Sequence, residues 1–338
     1  MAKYGIPYMG SKQSICDELI RIFPKAENFY DLFGGGFSVT HAMLLRRKNH
    51  YKQFHFNEIR PGVTDMIQKA ISGGYSYENF KPPFVTRQEF FNKLDSDPYI
   101  KLCWSFGNNG KCYIFSQEIE PYKKSIHNAI VFNEFDDLAE NVFCMDRFKD
   151  GYSIADKRLF LRNKIETYRK NGIPDFLKVF LNEKQLQQLE QLEQLERLER
   201  LQQLQQLQQL QQLERLQQLQ QLQQLQQLQQ LQQLEFYSTS YENVPIKESS
   251  VIYCDIPYQG TADYDGNTMF NHKAFFDWAA DLKHPVFISE YKISDKRFKP
   301  VFKIKKRALL SKNDEAINTH KNEMVYCNKA GFNALFKR

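Results

Sequence analysis

The segment Phe29-Tyr30-Asp31-Leu32-Phe33-Gly34-Gly35-Gly36 carries the strongest indication of the fold. Its first five residues form a short apolar run that predicts a buried strand, and three glycines follow at once. Residues 38–48 then resume a helical pattern through Val39, Met43 and Leu44. Strand, glycine turn and helix form an arrangement that cradles nucleotides, because glycine lets the backbone approach a ligand and leaves N–H groups free. A simple tight turn is the alternative.

A second strand that ends in an acid extends this unit. Gln53-Phe54-His55-Phe56 predicts the strand, and Asn57-Glu58 closes it. An acid at this point of a β-α-β unit accepts hydrogen bonds from ribose hydroxyls. Glu58 lies 22 residues beyond Gly36, near the usual spacing of about 20. The alternative is a solvated acid that caps a helix ahead of Pro61.

The residues before the first strand predict the start of a helix. Ile6-Pro7-Tyr8-Met9-Gly10-Ser11-Lys12 leads into apolar residues at helix spacing, with Ser11 as the expected N-cap. The apolar positions are Ile15, Leu19, Ile22 and Phe23. Because the N-terminus of a helix attracts anions, this segment is a candidate ligand contact.

Far along the chain, an acid, a proline and an aromatic ring follow another strand. Asp255-Ile256-Pro257-Tyr258 comes directly after the apolar run Val251-Ile252-Tyr253-Cys254. A carboxylate, a rigid carbonyl and a flat ring at one sheet edge suit a planar ring that bears an amino group; a strand followed by a proline turn is the alternative. A similar string, Asp97-Pro98-Tyr99, follows Asp95-Ser96 rather than an apolar strand, so we give it no role.

The central region, residues 72–185, is polar and helical in pattern, with aromatic interruptions. Thr86-Arg87-Gln88-Glu89 is a capping box that predicts a helix start. Residues 104–111 combine aromatic and amide side chains that suit a base contact or, equally, a hairpin turn. Tyr122-Lys123-Lys124 and the basic helical run 155–170 suit phosphate contacts or solvated helix faces.

Residues 186–234 form a nearly pure repeat, with Leu at every third position and mostly Gln between. These residue types favour helix, and no Gly or Pro interrupts them. At about 100° per residue, however, leucines three apart drift around an α-helix instead of forming one face. We expect a long helix or helical pair, inserted away from the chemistry, with a β-solenoid as the alternative. Self-association through this repeat is the main functional alternative.

The carboxyl-terminal part alternates strands with a helix. The predicted elements are a strand at 235–238, an amphipathic helix at 271–282, a buried strand at 285–289 and two closing strands at 301–304 and 324–327. Lys303, Lys305, Lys306 and Arg307 form the densest basic cluster of the chain. This cluster suits phosphate contact or a solvated edge strand.

Composition restricts the protein class. The chain has 338 residues, 42% of them hydrophobic, but no apolar run near the eighteen or so of a membrane span and no signal-peptide core. We therefore expect a cytoplasmic protein that does not contact membranes. Six cysteines lack any C-x-x-C pair, so we expect no metal and no disulfide framework. The net charge of +6 permits nucleic-acid binding without demonstrating it.

Together these motifs resemble the Dam-type family (D12 class, alpha group) of AdoMet-dependent DNA adenine N6-methyltransferases. The matching segments stand in the family's order: Tyr8-Met9-Gly10-Ser11-Lys12, Asp31-Leu32-Phe33-Gly34-Gly35-Gly36, Asn57-Glu58 and Asp255-Ile256-Pro257-Tyr258. The resemblance covers about residues 4–66 and 236–330. Ile256 stands where the family has its first proline, and Asp31-Leu32 replaces the usual Glu-Pro before Phe33.

The resemblance implies an α/β fold with a Rossmann-like class I methyltransferase sheet. Residues 1–71 and 235–338 would form the catalytic domain, and residues 72–185 a mainly helical target-recognition region. Residues 186–234 would be a helical Leu-Gln repeat insertion. The implied cofactor is S-adenosyl-L-methionine (AdoMet), and the implied partner is double-stranded DNA.

The resemblance also implies residue roles. The expected cofactor-binding residues are Tyr8, Lys12, Asp31, Phe33, Gly34, Gly36, Glu58 and Asp255. Within this set, Asp31 would face the methionyl amino group and Glu58 would hold the ribose. Asp255 and the Pro257 carbonyl would accept the two N6–H bonds of a flipped-out adenine, and Tyr258 would stack on its ring. These three are the expected catalytic residues.

Two other functions stay open at this point. One is methyl transfer to another amino or amide nitrogen, such as cytosine N4 or a protein glutamine; the relevant families favour Ser or Asn at the position of Asp255, which favours adenine. The other is a DNA-binding or scaffold protein that has lost catalysis and assembles through residues 186–234. For an active enzyme, restriction–modification, phage protection and regulation are the alternative biological roles.

Overall fold

The computed structural model describes residues 4–76, 80–143, 146–171, 225–228, 233–259, 270–304 and 323–336. The strands are β1 (Asn28–Asp31), β2 (Gln53–Asn57), β3 (Leu234–Tyr237), β4 (Ser250–Cys254), β5 (Val286–Glu290), β6 (Lys299–Ile304) and β7 (Glu323–Cys327). The helices are α1 (Cys16–Leu19), α2 (Ser38–Arg46), α3 (Val63–Ile71), α4 (Arg87–Lys93), α5 (Pro98–Cys103), α6 (Glu120–Phe132), α7 (Asp137–Phe143), α8 (Ile154–Asn171), α9 (His272–Asp281) and α10 (Lys329–Phe336).

The seven described strands form one mostly parallel sheet in the order β3-β2-β1-β4-β5-β7-β6. The first five strands of this order pair in parallel, and β7 runs antiparallel to both β5 and β6. The strand order changes direction at β1 and β4, and in open α/β sheets such a switch point leaves a crevice at the carboxyl ends of the strands. Asp31 ends β1 and Asp255 follows β4, so both acids lie at this crevice.

The strands beside the crevice are buried on both faces, as expected for parallel strands covered by helices. Successive residues point to opposite faces. Phe29 and Tyr253 therefore pack in one hydrophobic cluster, and Tyr30 and Ile252 pack in the other. Continuous apolar runs are the reason that these strands were predictable, and the predicted strands agree with the observed ones within two residues at either end.

The expected helix after Ser11 is much shorter than predicted. The α-helix begins at Cys16, and no side chain caps its N-terminus. The preceding residues pack onto the glycine loop instead, where Ile6 N donates to the Gly36 carbonyl oxygen at 2.7 Å. The capping box is confirmed, because Thr86 Oγ1 accepts from Glu89 N and Glu89 Oε2 accepts from Thr86 N.

The central region is mainly helical in its described part, α4 to α8. Asp97-Pro98-Tyr99 begins α5, where the Asp97 side chain accepts from Ile100 N at 3.1 Å. Giving this string no role in the chemistry therefore agrees with its place in the fold. No helix of the described residues is long and apolar enough to cross a membrane.

The carboxyl-terminal end of the Leu-Gln repeat belongs to the hydrophobic core. Leu225–Leu228 forms a single 3₁₀ turn next to α3, and both leucines are fully buried. In a 3₁₀-helix, residues three apart lie on one face, so both leucines point into the same cluster. The last leucine, Leu234, begins β3. The prediction of a long helix concerns the rest of the repeat, which lies outside the described residues.

Candidate active site

A cavity of about 640 Å³ opens at the carboxyl ends of β1 and β4. Every residue that the sequence predicted for the site lines it: Tyr8, Lys12, Asp31, Phe33, Gly34, Gly36, Glu58, Asp255, Pro257 and Tyr258. The sheet topology brings these four segments together, because β1 lies between β2 and β4. Residues far apart in sequence therefore surround one space.

The glycine loop lies against the second strand and the amino-terminal segment. Gly34 N donates to the Asn57 carbonyl oxygen at 2.9 Å. A Cβ atom on Gly34 would lie 2.0 Å from the Phe56 ring, and one on Gly36 would lie 2.5 Å from Tyr8 Cβ. Only glycine fits at these two positions, so the loop backbone can border the cavity directly.

Glu58 fixes this loop and also borders the cavity. Its Oε2 accepts from Gly35 N at 2.8 Å, and its Oε1 accepts from Arg60 N at 3.0 Å. Both contacts hold the carboxylate at the end of β2, beside the glycine loop. The Arg60 guanidinium lies over the Tyr8 ring, 5.0 Å from its centroid.

Asp31 lines the cavity and has one buried carboxylate oxygen without a hydrogen-bond partner among the described residues. The Thr40 hydroxyl donates to Oδ2 at 2.7 Å, whereas Oδ1 has no hydrogen-bond partner in the described part of the protein. Burial raises the pKa of Asp31 to about 7, with the Thr40 hydrogen bond opposing the shift and the nearby Asp255 adding to it. An unsatisfied buried oxygen is costly, so this position suits a ligand that brings a donor or a positive charge.

Asp255 lies in a cluster with Lys12, Tyr258 and Glu323. Lys12 Nζ is 2.9 Å from Asp255 Oδ1 and 2.8 Å from Glu323 Oε1, and it donates to the Tyr258 hydroxyl at 2.7 Å. Burial raises the pKa of Asp255 to about 6, with Lys12 opposing the shift and Glu323 adding to it. Burial alone lowers the pKa of Lys12, but Asp255 and Glu323 more than offset this effect, so the net shift is upward. The ammonium therefore stays charged.

The Pro257 carbonyl and the Tyr258 ring complete this side of the cavity. His272 Nε2 lies 2.7 Å from the Pro257 carbonyl oxygen. The Tyr258 ring meets the Tyr291 ring edge-on at 4.7 Å between centroids. An acid, a carbonyl and an oriented aromatic ring therefore line the same cavity as the glycine loop.

The arrangement agrees with the family indicated by the motifs. Residues 8–72 match the family model of the D12 class N6 adenine-specific DNA methyltransferases. The matched segment contains the amino-terminal motif, the glycine loop and Glu58, so the resemblance inferred from these residues is confirmed. The family implies an enzyme that methylates DNA adenine and uses AdoMet. No curated protein matches the chain.

The residues that line the cavity fit AdoMet, the methyl donor that the family implies. Asp31 Oδ1 offers a buried acceptor for an ammonium group, and the glycine loop leaves room for a ligand against its backbone. The described residues contain no group of three or more His, Cys, Asp or Glu side chains that could hold a metal ion. Ile256 is 2% exposed and packs in the second hydrophobic cluster, so its side chain supports the loop from the core side.

Sequence reasoning missed several residues that line the cavity. Phe33 packs against Tyr241 and Phe270 at 5.4 and 5.7 Å between ring centroids, and both of these rings line the cavity. Tyr241 comes four residues after β3, so its place at the end of a predicted strand was the available signal. No sequence pattern indicated His272 or Glu323, because each begins an element instead of following a strand.

Of two predicted nucleic-acid contacts, the structure describes one, residues 104–111, in full and the other, the basic cluster, only in part. Trp104 is fully buried, and the Asn109 side chain accepts from Lys111 N and Cys112 N, so residues 104–111 form a turn held by its own amides. Phe106 is half exposed in this turn. Of the basic cluster, Lys303 lies on β6, and residues 305–307 lie outside the described part of the chain.

Proposed function

We propose that the protein is a site-specific DNA adenine N6-methyltransferase that transfers the methyl group of AdoMet to an adenine flipped out of duplex DNA. The observation that carries the proposal is one cavity shared by two sets of residues. Asp31, with its unpartnered buried oxygen, lies at one strand end, and Asp255-Ile256-Pro257-Tyr258 follows the adjacent strand. A methyl donor and its acceptor have to meet in one space for direct transfer, and this crevice supplies it.

The chemistry of the acceptor explains the residue types. The adenine amino nitrogen is a poor nucleophile because its lone pair is delocalised into the ring. In our proposal the Asp255 carboxylate and the Pro257 carbonyl accept its two N–H bonds, which favours a tetrahedral nitrogen and concentrates the lone pair. AdoMet, when bound, supplies an electrophilic methyl group on its sulfonium. The nitrogen would gain this methyl group as the bond to sulfur breaks and its electron pair stays on the sulfur, and the nitrogen would then lose one proton, for which Asp255 is the adjacent acceptor.

The donor side follows from the residues around the glycine loop. Asp31 would bind the methionyl amino group, Glu58 the ribose hydroxyls, and Tyr8, Phe33 and the glycine backbone would enclose the remainder. Lys12 would hold the acceptor side together through its contacts with Asp255 and Tyr258. Much of the rate enhancement would come from holding nucleophile and methyl group in line.

The target adenine cannot reach this cavity while it is stacked in a duplex. Base flipping costs a few kcal/mol, and stacking on the Tyr258 ring would return about 1–3 kcal/mol of that. We assign target recognition to residues 72–185 and catalysis to residues 1–71 and 235–338, and we place the activity in the cytoplasm. Phosphate contacts would come from the basic helix α8 and from Lys303 with its neighbours.

Methyl transfer from tritiated AdoMet to unmethylated, PCR-amplified DNA tests the proposal. We expect label in DNA that digestion assigns to N6-methyladenosine, and no label with Asp255→Ala. Asp281→Ala, at the exposed end of α9, is the matched control and should behave as wild type. Label in N4-methylcytosine would replace adenine with cytosine as the target. Wild-type protein that binds AdoMet and DNA but transfers no methyl group would contradict the proposal and favour a non-catalytic binding protein.

A further inference from the structure

Glu323 lies at the start of its strand, whereas Asp31 and Asp255 lie at the ends of theirs. It begins β7, which runs antiparallel to β5, and Glu290 at the end of β5 pairs with Met324. The first residue of an antiparallel strand therefore lies at the same edge as the last residues of the parallel strands. Its side chain is 2% exposed and lines the cavity.

Glu323 contacts two residues of the proposed reaction centre. Its Oε1 lies 2.8 Å from Lys12 Nζ and accepts a hydrogen bond from the Tyr258 hydroxyl. The Tyr258 hydroxyl also accepts from Lys12 at 2.7 Å. A phenol held at its hydroxyl by a charged acceptor and a charged donor has little freedom to tilt its ring.

The charges around Asp255 also depend on Glu323. One ammonium, Lys12, is shared between two carboxylates, and the Tyr258 hydroxyl lies 3.3 Å from Asp255 Oδ1. Tyr253, Cys254, Cys16 and Asp31 are further titratable groups whose pKa Asp255 influences. Glu323 shares the Lys12 ammonium with Asp255, and it adds a second negative charge nearby. It therefore raises the pKa of Asp255 above the value that Lys12 alone would set.

We propose that Glu323 is a positioning residue for methyl transfer, which orients the Tyr258 ring and the Lys12 ammonium beside Asp255. The inference rests on the proposed function, because the ring and the carboxylate matter only if an adenine binds there. Glu323 acts through these two side chains and needs no contact with the substrate. Replacing its charge should therefore change both the rate and the protonation of Asp255.

Glu323→Gln is the central variant, because glutamine keeps the shape and can still accept from Tyr258 and Lys12. We expect kcat to fall about 10- to 100-fold, the usual effect of weakening hydrogen bonds to a charged group. The acid limb of the pH profile of kcat should move to lower pH, because the charge that raises the pKa of Asp255 is gone. Glu235→Gln on β3, outside the cavity lining, should change neither quantity.

Tyr258→Phe separates positioning from general stability. If Glu323 acts through the Tyr258 hydroxyl, Glu323→Gln should cost much less in a Tyr258→Phe background than in wild type. Additive losses in the double variant, or a lower kcat with an unchanged acid limb, would overturn the inference. Wild-type kcat and pH profile in Glu323→Gln would overturn it as well.

A titration of the free protein keeps this inference distinct from the proposed function. Carboxyl-¹³C aspartate labelling, with Asp255→Asn to assign the signal, follows the Asp255 carboxyl by NMR without any substrate. We expect its midpoint to be lower in Glu323→Gln than in wild type. An unchanged midpoint counts against Glu323, whereas a shifted midpoint in a protein that transfers no methyl group counts against the methyltransferase proposal alone.

Discussion

The imidazole of His272 donates a hydrogen bond from Nε2 to the carbonyl oxygen of Pro257, across 2.7 Å. A carbonyl oxygen has no proton to give, so Nε2 carries the hydrogen in this contact. The same oxygen is the proposed acceptor for the adenine amine. In the proposed complex the imidazole and the adenine amine would share the two lone pairs of one carbonyl oxygen, so the imidazole would compete with the base for this acceptor.

Removing the imidazole should favour binding of the target. In His272→Ala the Pro257 carbonyl has no donor to exchange, and a neutral hydrogen bond is worth about 0.5–1.5 kcal/mol. We expect KM for DNA to fall by about 2- to 10-fold, with kcat maintained. Steady-state kinetics with DNA of mixed sequence measure both constants. Lys273→Ala, at the next position of α9, is the control, and a lower kcat at unchanged KM would show that His272 supports the loop instead.

Binding of AdoMet should depend on pH through Asp31. The pKa of this carboxyl is raised to about 7 in the free protein, and a bound ammonium group favours its ionised form. Affinity should therefore be highest above pH 7 and should fall as the pH decreases, by up to about tenfold per unit while one proton has to be displaced. Calorimetric titration between pH 5.5 and 8, values chosen to bracket about one unit on either side of that pKa, measures the effect.

The Asp31→Asn variant is the control for this pH dependence. Asparagine cannot ionise, so its affinity should be low and should lack the step near neutral pH. The pKa of Asp255 is also raised, to about 6. Because this value lies below that of Asp31, titration of Asp255 would produce a separate step at more acidic pH. A wild-type affinity that is constant from pH 8 to pH 6, within about half a log unit, would contradict the assignment of Asp31 to the amino group.

The parallel half of the site was predictable because its signals are local. In a parallel sheet each strand is a continuous apolar run, and its carboxyl end lies at the ligand-binding edge. The glycine turn after the strand that holds Asp31 and the acid Glu58 are two such signals, and Asp255 after its own apolar run is a third, whereas the role of Asp31 itself came from the family resemblance. The match over residues 8–72 agrees with the first two of these signals.

The other contacts of the site could not be predicted from the sequence in the same way. Glu323 begins its strand, and only the antiparallel pairing of β7 with β5 brings it to the cavity. His272 begins a helix, and its contact with Pro257 depends on how the chain returns to the sheet. The burial of Leu225 and Leu228 depends on a local 3₁₀ turn within a repeat whose other leucines have the same sequence context. These contacts are products of tertiary pairing and have no periodic signature.

The glycine loop should not tolerate a side chain at Gly34. An added Cβ would lie 2.0 Å from the Phe56 ring, and overpacking of this kind typically costs about 1–3 kcal/mol. We expect Gly34→Ala to displace the loop and to weaken AdoMet binding more than it lowers the melting temperature. Calorimetry and thermal denaturation measure the two effects.

A smaller side chain at position 56 tests whether the clash with Phe56 displaces the loop. Phe56→Leu in the Gly34→Ala background should recover part of the lost AdoMet affinity, since the smaller side chain lets the loop return. Phe56→Leu alone supplies the baseline. Equal affinity for AdoMet in wild type and Gly34→Ala, or no recovery in the double variant, would mean that the contact with Phe56 does not set the loop position.

The end of the Leu-Gln repeat should contribute to stability although most of the repeat lies outside the described fold. Leu225 and Leu228 are fully buried beside α3, and truncating a buried leucine costs about 2–5 kcal/mol. We expect Leu225→Ala and Leu228→Ala each to lower the free energy of unfolding by that amount, measured by urea denaturation. Leu159→Ala makes the same chemical change at a side chain that is 55% exposed, and surface substitutions of this kind shift stability by no more than about 0.5 kcal/mol.

A shortened chain separates the buried end of the repeat from the rest. Deleting residues 189–221 removes whole three-residue units and keeps both buried leucines. Because those leucines and Leu234 supply the core contacts of the described part of the repeat, the shortened protein should unfold at the same urea concentration as the full chain and should keep methyl transfer. Extending the deletion through residue 228 should lower stability as the two alanine variants do. Loss of turnover in the folded 189–221 deletion would show instead that the inserted repeat takes part in catalysis or DNA binding.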